Sequence, residues 1–102
     1  MLEAPIVAVT GTHILVDGIP AGSTRAIVDS NRLTRVDELH NILKAKRELW
    51  SQVNPGKPFP GNVILQVDKR VPALVVKSVF QTAAFAGYPA VSFMVSRMAS
   101  DD

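Results

Sequence analysis

The 102-residue sequence has no cysteine. That excludes disulfides and thiolate metal sites, and it leaves the redox compartment open. Histidine is scarce. His13 and His40 are the only two, and neither has partners at metal-ligand spacing. None of Ser23, Ser30, Ser78, Ser92 and Ser96 stands in a Gly-x-Ser-x-Gly elbow. Gly18 and Gly22 flank a loop without the helix start that would turn aligned N–H groups on a phosphate. A charge excess is also missing. The formal charge is +2, and the basic residues are scattered from Arg25 to Arg97, so no nucleic-acid partner is implied. There is no long hydrophobic run. The most apolar segment, residues 71–88, is interrupted by Lys77 and Gln81 and falls short of the ~20 apolar residues that span a bilayer. The start, Met1-Leu2-Glu3-Ala4-Pro5, has neither the basic nor the apolar region of a signal peptide. Without a convergent polar set, the chain reads as a binding domain that needs no cofactor, not as an enzyme.

What is present suffices for one domain. Hydrophobic residues make up 47% of the sequence, too many for a disordered chain. A chain of this length buries roughly 65% of its unfolded surface. The single domain is expected to span 1–102, with residues 1–5 and 97–102 frayed.

The most informative stretch is 62–96. Residues 63–67, Val-Ile-Leu-Gln-Val, form an apolar, β-branched strand pattern. Pro72 suits the first turn of a helix. Behind it, Val75, Val79 and Ala83 recur on one line and Val76, Phe80 and Ala84 on the next. Gly87 is placed to end that helix and Pro89 prevents its continuation. Residues 91–95 read as a second strand, parallel to the first by the crossover rule, so this unit is expected to supply the centre of the sheet. Leu74, Phe80, Phe85 and their neighbours make the helix apolar on more than one face. Either the long 18–33 segment covers it or another chain does.

Upstream, residues 6–9 and 13–16 read as a hairpin, with a second turn at Asp17-Gly18. Ile19 starts a short third strand that Pro20 is expected to stop. Ala26-Ile27-Val28 reads as a brief strand between turn-forming clusters. Thr34 is a candidate N-cap, with Asp37 and Glu38 in the first turn of a helix running to about Gln52. Leu39, Leu43 and Trp50 should face the sheet with Val79 and Phe80. The connector 54–61 is rich in proline and glycine and relatively stiff. The order is β-β-(β)-α-β-α-β. The expected fold is α+β, a two-layer sandwich with two helices on one face of a mixed sheet.

The strand ending Val67-Asp68, then Lys69 and Val71-Pro72, the apolar helix, Ala86-Gly87-Tyr88 and Val91-Ser92-Phe93 resemble the periplasmic domain of the ExbD/TolR family. The Asp17-Gly18 strand pair and the helix from Val36-Asp37-Glu38-Leu39 follow the same order. The likeness spans roughly positions 6–95. Ala73 stands where the family often has an aromatic residue, and the 18–34 stretch is longer than is usual there. The resemblance implies one periplasmic domain of a single-pass inner-membrane subunit, in a motor driven by the proton gradient. It implies a homodimer, an ExbB/TolQ-like membrane subunit reached through a membrane helix outside this sequence, and a TonB/TolA-like protein or peptidoglycan as envelope partner. Some relatives serve gliding motility. The proton-carrying aspartate would lie in that membrane helix.

Three sets of residues are candidates for interaction. An open sheet offers unpaired edge groups, and Ile6, Val7 and Val9, or Ile27, are expected to supply that edge. Phe80 and Phe85 are the candidate apolar contacts on the helix. Asp68 and Pro72 mark the end of a parallel strand, where ligands bind in open α/β sheets. Asp68 is also suited simply to accept N–H groups in its own turn. A stand-alone module binding a small ligand near Asp68 is the alternative reading.

Overall fold

The computed structural model describes residues 4–96, and of Ser96 only the backbone. The order is β1 (Ile6–Val9), β2 (His13–Val16), β3 (Ile19–Ser23), α1 (Arg25–Ser30), α2 (Asp37–Val53), β4 (Asn62–Asp68), α3 (Ala73–Phe85) and β5 (Ala90–Ser96). The strands form one mixed sheet in the order β3-β2-β1-β4-β5. β1 and β2, and β2 and β3, pair antiparallel, whereas β4 runs parallel to both β1 and β5. The fold is therefore α+β, as expected, with three helices among the described residues and not two.

Alternation along the strands places the core. Val7 and Val9, Ile14 and Val16, and Val63, Leu65 and Val67 are buried, while the residues between them are at least partly exposed. Among the described residues the buried side chains thus gather on one face of the sheet. Leu39 and Leu43 of α2 and Val75, Val79 and Ala83 of α3 close over it. Trp50 is only half-buried, and Phe80 points away from the core.

Several expectations are corrected by the chain's geometry. β3 does not stop at Pro20 but runs through it, with Leu15 opposite Pro20 and an irregularity that puts Ile14 opposite Gly22. β3 is an edge strand, where a proline can lack its donor without breaking a ladder. Ala26-Ile27-Val28 is no strand. It lies in α1, which Asn31 ends in the left-handed conformation, and Ile27 is part of the core. Thr34 does not cap α2. The cap position is Val36, without a side-chain hydrogen bond, although Asp37 and Glu38 do occupy the first turn. Instead the Thr34 N–H donates to Ser78 Oγ (3.1 Å) and the Val36 N–H to Thr82 Oγ1 (3.1 Å). Both hydroxyls are buried on α3, so they tie the segment before α2 to that helix. The expected fraying at 1–5 does not extend to Pro5, whose carbonyl accepts the Ile64 N–H at 3.0 Å. Residues 1–3 and 97–102 lie outside the described residues.

α3 ends as anticipated. Gly87 takes φ +100°, Tyr88 N–H donates to the Ala83 carbonyl and Gly87 N–H to that of Ala84, which together satisfy the last turn of the helix. β5 then starts with the Ala90 N–H donating to the Gly61 carbonyl at 3.0 Å.

Candidate functional site

The sheet order decides which residues can meet a partner. β1 is the third of five strands, hydrogen-bonded on both sides. Ile6, Val7 and Val9 therefore offer no free edge, which corrects that expectation. Val7 and Val9 are core residues, and the Ile6 N–H donates to Asp17 Oδ1. Ile27 offers no edge either, being helical and buried. Nor does the strand–helix–strand unit form the centre, since β5 is an outer strand.

Asp68 accepts in its own turn. Its Oδ1 takes the Arg70 backbone N–H at 2.9 Å, and its Oδ2 takes Arg70 Nη2 at 2.9 Å. The hydrogen bond and charge of Asp68 raise the Arg70 pKa further above its ordinary value. Pro72 is the residue before α3, with extended ψ (146°). This arrangement ends a strand and starts a helix. Among the described residues no group of histidine, aspartate and glutamate could hold a metal, and no helix is long and apolar enough to cross a membrane.

The two real edges differ. β3 carries Pro20 and an irregular register, both devices that discourage a further strand. β5, Ala-Val-Ser-Phe-Met-Val-Ser, carries no charge and no proline, and among the described residues it is paired along its whole length, without a bulge, with β4 only. Because the Ala90 N–H points to β4, the parallel alternation turns the N–H and C=O groups of Val91, Phe93 and Val95 outward. Their side chains share the helix-covered face, being in register with Val63, Leu65 and Val67. The helical layer covers Val91 in part and does not reach far enough to cover the other two. Phe93 is 50% exposed and Val95 69%.

Phe80 extends this strip. Its ring lies 5.8 Å from that of Phe93, tilted by 39°, and it remains 41% exposed. Val76 and Ala84 flank it on the same line of α3. Phe85 is exposed too but lies about 140° further round the helix, so the structure does not bring it into this strip. α1 lies beside α3, and Ile27 reaches the core, so the long segment covers part of that helix and leaves the β5 side bare.

Val91, Phe93 and Val95 were not foreseen as contact residues. The signal available was the lack of any charge across residues 90–96, which an exposed edge normally carries as protection. Comparison with models of protein families, with curated proteins and with solved structures finds no match for this chain.

Proposed function

We propose that the chain is a non-catalytic periplasmic domain of an ExbD/TolR-like motor subunit, anchored by a single inner-membrane helix outside this sequence. It dimerises and passes force from an ExbB/TolQ-like membrane complex to a TonB/TolA-like protein or to the cell wall. The observation that carries the interaction role is the uncharged, unpaired β5 edge flanked by Phe80. The Asp68…Pro72…Gly87 frame and the order of elements support the family reading. The edge is self-complementary. When two copies meet antiparallel about Phe93, Phe93 faces Phe93, and Val91 faces Val95 on either side. All of these use outward-pointing backbone groups and stack apolar side chains on one face.

The absence of native cysteine makes the test clean. Cα atoms in a hydrogen-bonded antiparallel pair stand about 5.5 Å apart, within disulfide range. A Phe93→Cys variant should form a disulfide-linked dimer, both when purified under mild oxidation and in the periplasm of cells expressing the full subunit. Met94→Cys, on the opposite face, should not. Failure of the purified protein to cross-link, with sedimentation showing monomer up to millimolar concentration, removes the dimer. Cross-linking in vitro but never in cells removes the periplasmic assignment and leaves the dimer.

A further inference from the structure

At the opposite end of the parallel strands, away from Asp68, the last turns of α2, the 54–61 connector and the Asp17 turn border a half-open pocket of about 180 Å3. Its wall is apolar, made by Leu49, Trp50, Phe59 and Tyr88. The rings are locked edge-on. Phe59 lies 5.5 Å from Trp50 and 5.1 Å from Tyr88, centroid to centroid. Arg47 covers Phe59 with its guanidinium 5.3 Å from the ring centroid, which holds that ring in place. The Tyr88 hydroxyl is spent, donating to the Leu43 carbonyl at 2.9 Å. The wall is therefore rigid and mainly apolar.

Polar side chains line it at Asp17, Lys46 and Asn62, and the Trp50 indole N–H is a further donor. The Asp17 carboxylate is already engaged on both oxygens, accepting the Ile6 N–H at Oδ1 and lying 3.2 Å from Lys46 Nζ at Oδ2. Lys46 has further N–H donors to give, and the exposed Asn62 side-chain amide can both donate and accept. Beside its aromatic wall the pocket therefore presents the Lys46 ammonium, its charge partly met by Asp17, and the Asn62 amide. Its volume compares with the ~150 Å3 cavity that accommodates one benzene ring and is below the ~300 Å3 at which drug-sized sites begin.

We propose that this pocket binds a small apolar carboxylate, with one ring or branched chain lying against Trp50 and Phe59 and the carboxylate taken by Lys46. A free acid and the carboxy-terminal residue of a peptide present the same chemistry. The inference does not depend on the β5 edge or on the motor reading.

Trp50 is the sole tryptophan, so its emission reports on this wall directly. Titration with 3-phenylpropionate should change it saturably in the millimolar range. 3-Phenylpropanamide should bind about two- to fivefold more weakly, the worth of one partly exposed charge contact. Lys46→Met should abolish the difference between acid and amide, and Lys46→Arg should restore it. Thermal melts of each variant establish that it is folded. Gly-Gly-Phe with a free and with an amidated terminus forms the second arm. Saturation by the peptide acid alone supports the site with chain ends as its source, and saturation by 3-phenylpropionate alone supports it with free acids. No saturation by either, equal binding of acid and amide, or an acid preference that survives Lys46→Met would overturn the proposal.

Discussion

Gly61 and Gly56 form a matched pair for separating backbone strain from steric overlap. Both lie in the connector between α2 and β4 and both hold left-handed φ, +72° and +80°. A Cβ added at Gly56 would meet nothing within 4 Å, whereas one at Gly61 would stand 2.5 Å from Pro89 Cδ and 3.1 Å from Pro89 Cγ. An L-residue in this region of φ costs about 1–2 kcal/mol, which is the whole expectation for Gly56→Ala. Gly61→Ala carries the same strain plus overpacking. The obstacle is a proline ring, which cannot rotate aside, so a further ~1–3 kcal/mol is expected. The Gly61 carbonyl also accepts the Ala90 N–H, so relief by moving the backbone would loosen the start of β5. Urea denaturation should place Gly61→Ala at about 2–5 kcal/mol below the parent and Gly56→Ala at about 1–2. Equal losses in the two variants would show that the contact between Gly61 and Pro89 does not constrain the chain.

Further tests address other regions of the fold. Thr82→Val should cost about 1–3 kcal/mol, because it leaves the buried Val36 N–H without its acceptor; a melt unchanged from the parent would mean that the segment before α2 is not held by α3. Burial pushes the Tyr88 hydroxyl up from 10.0 to about 12, with Asp17 adding to the rise and Arg47 opposing it. The unfolded chain therefore loses this proton first. Stability is undiminished below pH ~10 and falls as pH rises towards ~12, by up to about 2–3 kcal/mol. Tyr88→Phe should flatten that difference in pH-dependent melts, and an identical alkaline slope in both proteins would exclude Tyr88 as its source.

Elements set by short-range chemistry could be read from the sequence, and relations between distant segments could not. The Asp17-Gly18 turn has positive φ at both residues (51° and 85°), as that dipeptide favours between two strands. Gly87 and Pro89 likewise announce the end of α3. By contrast, the place of β1 between β2 and β4 depends on pairing Val7 with Leu65, far along the chain, and no local pattern encodes that. Hence the mistaken edge at Ile6, Val7 and Val9. Ile27 misled for another reason. Its β-branched neighbourhood favours a strand, but the short helix α1 buries it against the core, and packing overrides propensity. Ser78 and Thr82 look like the polar side of α3, yet both are buried, because the segment before α2 brings them backbone N–H donors. For the candidate surface, the apolar character of Phe80 was legible, while its partner Phe93 required the sheet order.

That sheet order also has a mechanical meaning. β1 and β5 point the same way, with β4 between them and parallel to both. Tension applied between Ile6 and Val95 therefore pulls along the strands and loads both ladders in shear. Their hydrogen bonds must give way together, whereas in a hairpin pulled from its open end they would break in succession. Single-molecule stretching between those two points should show one high-force rupture, and stretching across Ile6 and Val16, neighbouring ends of the β1–β2 hairpin, a much softer response. A domain of this order holds its shape under a steady pull along its length and yields readily only to peeling, so the direction in which it is tugged decides whether it acts as a strut or a release.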